Sequence, residues 1–164
     1  MKKKYKRDYI ENIINMLKDM GIFNLFQKYE ICGSFRRKKE MIGDIDIVCI
    51  LSEPHEFVLN FFNNCNIEIH KKPAGYQFNF NDIKIDIFVA NEKDYWLNVL
   101  FWTGPHYFTI NLRNKFYRNG FLLTPKMISS LKTKKRLTDY CLIKSEKEIF
   151  DLIKYNYVYP EDRY

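Results

Sequence analysis

Two short apolar segments carry carboxylates where carboxylates are costly. The run Asp44-Ile45-Asp46-Ile47-Val48-Cys49-Ile50-Leu51 is β-branched and apolar enough for a central strand, and Ile83 to Ala90 reads as a second strand with Asp86 at its centre. Residues two apart on a strand point to one face, so Asp44 and Asp46 stand side by side as like charges. A bare pair there is destabilising, and a lone Asp86 inside an apolar strand is equally costly. Such a pattern asks for compensating positive charge, and divalent cations are the usual source. If the two strands pair, three carboxylates converge within reach of two ions, the arrangement that clamps both oxygens of an in-line phosphoryl transfer. The bland alternative is that each Asp sits at a strand end in solvent or pairs with Lys or Arg.

A second motif precedes the first by ten residues. Gly33-Ser34 follows a short predicted strand, Tyr29-Glu30-Ile31-Cys32, and opens a stretch from Phe35 to Met41 that reads as one or two helical turns. Backbone N–H groups, the Ser34 hydroxyl and a helix start can cradle phosphate oxygens there. Arg36 and Arg37 follow within one turn, and the planar guanidinium suits phosphate through bidentate, charge-assisted contacts. A lone Gly-Ser is common; Gly33-Ser34-Phe35-Arg36-Arg37 followed by Gly43-Asp44-Ile45-Asp46 is a specific combination.

The rest of the chain supplies context. Its 164 residues have room for one domain or two small lobes, and 27 Lys+Arg against 20 Asp+Glu give a formal charge of +7. The surface therefore favours polyanions, with nucleic acid the leading partner. Cys32, Cys49, Cys65 and Cys141 form no C-x-x-C pair and have no His spaced to complete a zinc site, so a reduced, intracellular protein with Cys32 and Cys49 buried is expected. No run reaches membrane-spanning length and no signal core follows the basic start, which predicts a soluble protein with no membrane partner. The cluster from Lys2 to Arg7 reads as a solvated terminus, a phosphate-contacting arm or a nuclear address.

Periodicity predicts an amphipathic helix through Tyr9, Ile10, Ile13, Ile14 and Leu17, ended by Gly21. A helix covers the sheet from about Glu56 to Asn63. Asn66 to His70 alternates, Lys71 to Gly75 turns the chain, and Tyr76 to Phe80 alternates aromatic with polar residues as a half-exposed strand. The result is a strand-rich α+β lobe from about 29 to 90. Helical patterns follow: Asp94 to Trp102, then Pro105 to Asn119 stopped by Gly120, then a last helix introduced by the capping box Ser145-Glu146-Lys147-Glu148.

These motifs resemble the nucleotidyltransferase superfamily, with its G-S and D-x-D signature, and within it the family X DNA polymerases. The double Arg after Gly33-Ser34-Phe35, the segment Phe101-Trp102-Thr103-Gly104 and the tail Glu146 to Asp151 with Tyr157, Pro160, Asp162 and Arg163 are similar to DNA polymerase beta. The resemblance implies a palm over 1–90, a mixed or antiparallel sheet with covering helices, and a small, mainly helical thumb over 91–164 with a short β element. The family's lyase lobe and helix-hairpin-helix subdomain are expected to be missing. That plan looks like the minimal repair polymerases of large cytoplasmic DNA viruses, the asfarvirus and entomopoxvirus types, and implies the host cytoplasm or the virion, with the nucleus left open.

Residue by residue, the resemblance implies that Asp44 and Asp46 ligate both of two Mg²⁺ ions, with Mn²⁺ as a substitute, and that Asp86 ligates the catalytic one. Gly33, Ser34, Arg37 and Gly43 fall where the family contacts the triphosphate. Phe101, Trp102 and Gly104 would line the sugar, and Arg113 matches a thumb Arg facing the template. Lys132, Lys134, Lys135 and Arg136 would grip duplex phosphates, and read without the resemblance they are a solvated run. Two departures stand out: Lys84 replaces an Arg two residues before the third Asp, and His106 and Thr109 replace the Asp and Asn that contact the incoming base. The implied activity is gap-filling addition of a deoxynucleotide to a primer 3′ end in base-excision repair. Its partners would be gapped or nicked duplex DNA, deoxynucleoside triphosphates, a DNA ligase and an apurinic-site nuclease, with the protein a monomer. The competing readings are a template-independent nucleotidyltransferase and a catalytically silent nucleic-acid-binding palm.

Overall fold

The computed structural model describes residues 3–164; Lys2 of the basic start lies outside the described residues. Strand β1 (Tyr5–Lys6) runs straight into α1 (Arg7–Asp19), whose buried face is Ile10, Ile13, Ile14 and Leu17, as the periodicity predicted, while Tyr9 is exposed at its margin. Gly21, at φ 82°, ends that helix and leads through a 3-10 turn, Ile22–Leu25, into β2 (Phe26–Ile31), three residues earlier than expected. The one-turn helix α2 (Gly33–Arg36) stops short of the expected Met41. Met41–Ile42 instead form β3, paired antiparallel with β1 through Tyr5↔Ile42 and Lys6↔Met41.

Five strands make the main sheet. β4 (Ile45–Leu51) is followed by α3 (His55–Asn64), β5 (Ile69–Lys72), β6 (Gly75–Phe80) and β7 (Ile83–Val89). Strand β5 runs further than the alternation suggested and narrows the turn before β6 to Pro73-Ala74. The order is β2-β4-β7-β6-β5, with β4 and β7 parallel and the other neighbours antiparallel, a mixed sheet in an α+β fold.

The two faces of this sheet are built differently. Ile45, Ile47, Cys49, Tyr76, Phe78, Ile83, Ile85 and Ile87 point to one side and are buried against α1 and α3. Each such side chain removed from water contributes about 1.5–3 kcal/mol. The opposite face carries Val48 under a small cluster with Cys32, Ala90, Tyr95 and Val99; beyond that cluster it carries the carboxylates.

The C-terminal part has its own core. Helices α4 (Tyr95–Thr103) and α5 (His106–Arg118), the hairpin β8 (Phe121–Leu123) with β9 (Ile128–Ser130), and α6 (Glu146–Asp151) enclose Leu97, Leu100, Leu112, Phe116, Ile149 and Phe150. Ser145 Oγ accepts from Glu148 N–H at 3.3 Å, as a capping residue should. The Glu148 carboxylate accepts from Lys144 N–H at 2.8 Å, one residue before the usual capping-box target. The helix ends at Asp151, leaving Leu152 and Ile153 beyond it. Among the described residues, no helix is long and apolar enough to cross a membrane.

Candidate active site

The parallel pairing of β4 with β7 sets Asp46 directly opposite Asp86. Asp44 sits one residue ahead of β4, not within the strand. Each of the three half-buried carboxylates offers an oxygen, and these atoms lie within 4.8 Å of one another. Like charges set across adjacent strands repel, and the structure shows two partners for them: Lys84, which the sequence had marked, and Gln77, which sequence reasoning missed. Lys84 Nζ stands 2.5 Å from Asp86 Oδ2 and 3.7 Å from Asp44 Oδ2. Gln77 Nε2 donates to Asp86 Oδ1 at 2.6 Å.

Both partners had a signal in the sequence. Gln77 lies opposite Asp86 in the β6–β7 register, where the aromatic–polar alternation of β6 places it, and Lys84 is two residues from Asp86 on the same face. Burial pulls the Lys84 ammonium down, but the hydrogen bond and charge of Asp86, with Asp44 and Asp46 behind, outweigh it and leave its pKa raised. Lys84 thus reaches the third Asp. Three hard oxygen donors this close together fit a divalent cation of the Mg²⁺ class.

The phosphate-cradle residues meet this cluster. Cys32 N–H donates to the Asp46 carbonyl at 2.7 Å, which ties the turn after β2 to β4. Gly33, at φ +59°, follows, and a Cβ there would fall 2.1 Å from Asp46 Oδ2. Only glycine allows the turn and the carboxylate to share that space.

The two arginines of the motif part company. Arg37 lines the cleft and donates to the Thr103 carbonyl, while its buried Nε is the only buried side-chain N or O atom among the described residues without a hydrogen-bond partner. Burial lowers the Arg37 pKa, against the pull of Asp46 and Asp44. Arg36, expected as a second phosphate contact, turns away. It meets Glu146 at 2.7 Å, Glu30 at 3.0 Å and Thr103 Oγ1 at 2.9 Å. Glu146 in turn meets Arg163 at 3.0 Å, with both side chains almost wholly buried. Arg36 therefore fastens the sheet to the C-terminal core.

A cleft of about 460 Å³ opens between the two parts. One wall is Gly33, Ser34, Arg37, Asp44 and Asp46; the other, from α4 and α5, includes Phe101, Trp102, Gly104, His106 and Thr109. Of the residues expected to contact a nucleotide, Gly43 alone is off these walls. Trp102 is fixed by stacking on Phe88, with ring centroids 3.6 Å apart and planes at 11°. Thr109 Oγ1 donates to the His106 carbonyl at 2.8 Å, so its proton is used within α5; His106 is exposed.

The expected DNA-contacting residues lie outside the cleft. Arg113 is exposed on α5, and Lys132, Lys134, Lys135 and Arg136 are all exposed after β9. The four cysteines are free, with Cys32 and Cys49 buried. Across this geometry, residues 98–164, which supply most of the second wall, match the family model described as DNA polymerase beta thumb. Over that stretch the chain is similar to the thumb of a family X DNA polymerase.

Proposed function

We propose that the protein is a DNA-directed DNA polymerase of repair type, filling gaps by adding a deoxynucleotide to a primer 3′ end. The observation that carries this reading is the convergence of Asp44, Asp46 and Asp86 beside a glycine-serine turn, facing a wall that matches a polymerase thumb. Residues 1–90 act as palm and 91–164 as thumb, on the minimal plan of the viral repair enzymes. Gly33 and Ser34 hold the triphosphate from the palm side, and Arg37, its Nε unsatisfied in the protein alone, donates to phosphate oxygens. Phe101, Trp102 and Gly104 hold the sugar, and His106 and the Thr109 methyl border the base. Lys84 and Gln77 hold Asp86 toward the primer terminus.

Asp44, Asp46 and Asp86 would hold two Mg²⁺ ions, or Mn²⁺ in their place. Bound there, the ions stabilise charge on the attacking and leaving oxygens. Arg113 and the run Lys132 to Arg136 grip the duplex, and a ligase and an apurinic-site nuclease complete the repair. The test is single-nucleotide extension on a gapped duplex, opposite each template base and with ribonucleotide controls. Templated incorporation that disappears in Asp86→Ala is expected. No incorporation by the pure parent protein with Mg²⁺ or Mn²⁺, or full activity in Asp86→Ala, would sink the reading.

A further inference from the structure

Asn98 is an amide in the middle of α4, flanked by Leu97, Val99 and Leu100, which are all fully buried. An amide side chain is a poor choice for a helix interior, because it competes with the backbone for hydrogen bonds. Asn98 sits one turn before Trp102 and stands behind the nucleotide cleft without lining it. Every polar atom it has is engaged. Its Oδ1 accepts from Trp102 Nε1–H at 3.3 Å, and its Nδ2 donates to the carbonyls of Pro125 and Asp94, both at 3.0 Å. The pattern admits one orientation of the amide, since a flip would face Oδ1 with two carbonyls and Nδ2 with the indole donor.

The two partners outside its own turn are both cleft residues: Trp102 and Pro125 line the cleft together with Phe101 and Gly104. Phe88 stacks on the Trp102 ring with planes at 11°, which fixes the plane of the indole but resists rotation within that plane only weakly. The bond to Asn98 sets the remaining angle. Pro125 stands at the tip of the β8–β9 hairpin, whose turn is closed on itself. Thr124 N–H donates to the Met127 carbonyl at 3.0 Å, and Thr124 Oγ1 accepts from Met127 N–H at 3.1 Å and from Lys126 N–H at 3.3 Å. A tip so braced moves as a unit, and the Asn98 bond ties that unit to α4.

We propose that Asn98 is a positioning residue for sugar selection. It holds the Trp102 indole and the Pro125 tip at a fixed separation, and that separation sets how much room the cleft leaves beside the 2′ position of the sugar. This rests on the polymerase reading and adds to it a residue that touches no substrate. A wall that rejects a hydroxyl by shape alone discriminates by about 100-fold at most. Such a wall selects only while it stays put, and one amide with three bonds is what keeps both of its parts in place.

Trp102 can report on itself. Trp96 is the only other tryptophan in the chain, so in a Trp96→Phe background the emission belongs to Trp102. Asn98→Leu roughly keeps the side-chain size, favours the helix and removes all three bonds; Asn98→Ala is the second variant. Val58→Ala, in the core behind the sheet, is the control for lost stability alone. Emission and acrylamide quenching are read without nucleotide. Then kcat and KM are measured for a deoxynucleotide and its ribonucleotide on a gapped duplex with Mg²⁺.

In both Asn98 variants Trp102 is expected to be quenched more readily than in the parent. The ribo-to-deoxy ratio of kcat/KM should rise about three- to tenfold, chiefly through a lower KM for the ribonucleotide. Val58→Ala should leave the quenching as it is and the ratio within about twofold. Parent-like quenching in Asn98→Leu and Asn98→Ala overturns the proposal, and so does a loosened Trp102 whose ratio moves no further than in Val58→Ala. An inactive parent protein would remove the polymerase reading, and quenching, which needs no turnover, would then decide alone whether Asn98 holds Trp102.

Discussion

Substituting Gly33 by Ala separates folding from chemistry. Gly33 has a φ of +59°, a left-handed conformation that costs a residue with a side chain roughly 1–2 kcal/mol. The added Cβ would also fall 2.1 Å from Asp46 Oδ2, where ordinary contact begins near 3.4 Å. The carboxylate must therefore retreat by more than 1 Å. Oδ2 is the far end of a short side chain at the edge of a cleft, so a rotation relieves the clash at little further cost to the fold. The expected loss of stability is about 1–3 kcal/mol, or roughly 2–10 °C in Tm for a chain of this length. The effect on turnover is larger, because misplacing a group at a reacting centre by 1 Å costs on the order of 100-fold. Single-turnover incorporation on a gapped duplex, followed across a Mg²⁺ titration beside a thermal melt, reads both quantities. A Gly33→Ala protein that keeps its rate within about threefold of the parent at every Mg²⁺ concentration would refute the reasoning.

Lys84→Met removes the ammonium that partly neutralises Asp86 and Asp44, so added Mg²⁺ should raise its Tm more than the parent's, by about 3–5 °C if the ion binds tenfold tighter; equal shifts in a melt would count against the cation-site assignment. Glu146→Ala strands Arg36 and Arg163 at the seam and should cost about 3–5 kcal/mol in urea denaturation; a loss under about 1 kcal/mol would show that the pair of arginines finds other partners. Burial pushes the Cys49 thiol up to about 12 and raises Cys32 as well. Both thiols are therefore protonated near pH 8, and mass spectrometry after iodoacetamide should find Cys141 modified in the native protein and these two only after unfolding. Modification of Cys49 as fast as the exposed Cys141 would contradict the packing.

The parts of the fold legible in the sequence are those fixed by local pattern. Alternation placed β6, β-branched runs placed β4 and β7, and the i, i+3, i+4 recurrence placed α1. What escaped depends on partners distant in the chain. A two-residue strand such as β1 has no pattern of its own, and Met41–Ile42 became β3 only because Tyr5–Lys6 lies alongside. The three aspartates could be singled out by the cost of their surroundings, yet their convergence needed the parallel register of β4 on β7. The arginines illustrate the limit best. Neighbours on a helical turn point about 100° apart, so one of Arg36 and Arg37 had to leave the cleft, and the buried Glu146 from over a hundred residues away decides which.

The construction of the sheet explains how the acidic cluster is held. Ile45, Ile47, Ile85 and Ile87 bury the other face of the two strands that carry Asp46 and Asp86. A slip of one residue would turn those isoleucines to the open face and drive the aspartates into the core. Apolar burial on one side therefore fixes the register that forces like charges together on the other. Lys84 and Gln77 meet Asp86, while Asp44 and Asp46 share the cleft wall with Arg37. On the proposed reading, the nucleotide enters the cleft as its metal complex, with the ions joining its phosphates to the carboxylates on the wall that Arg37 shares.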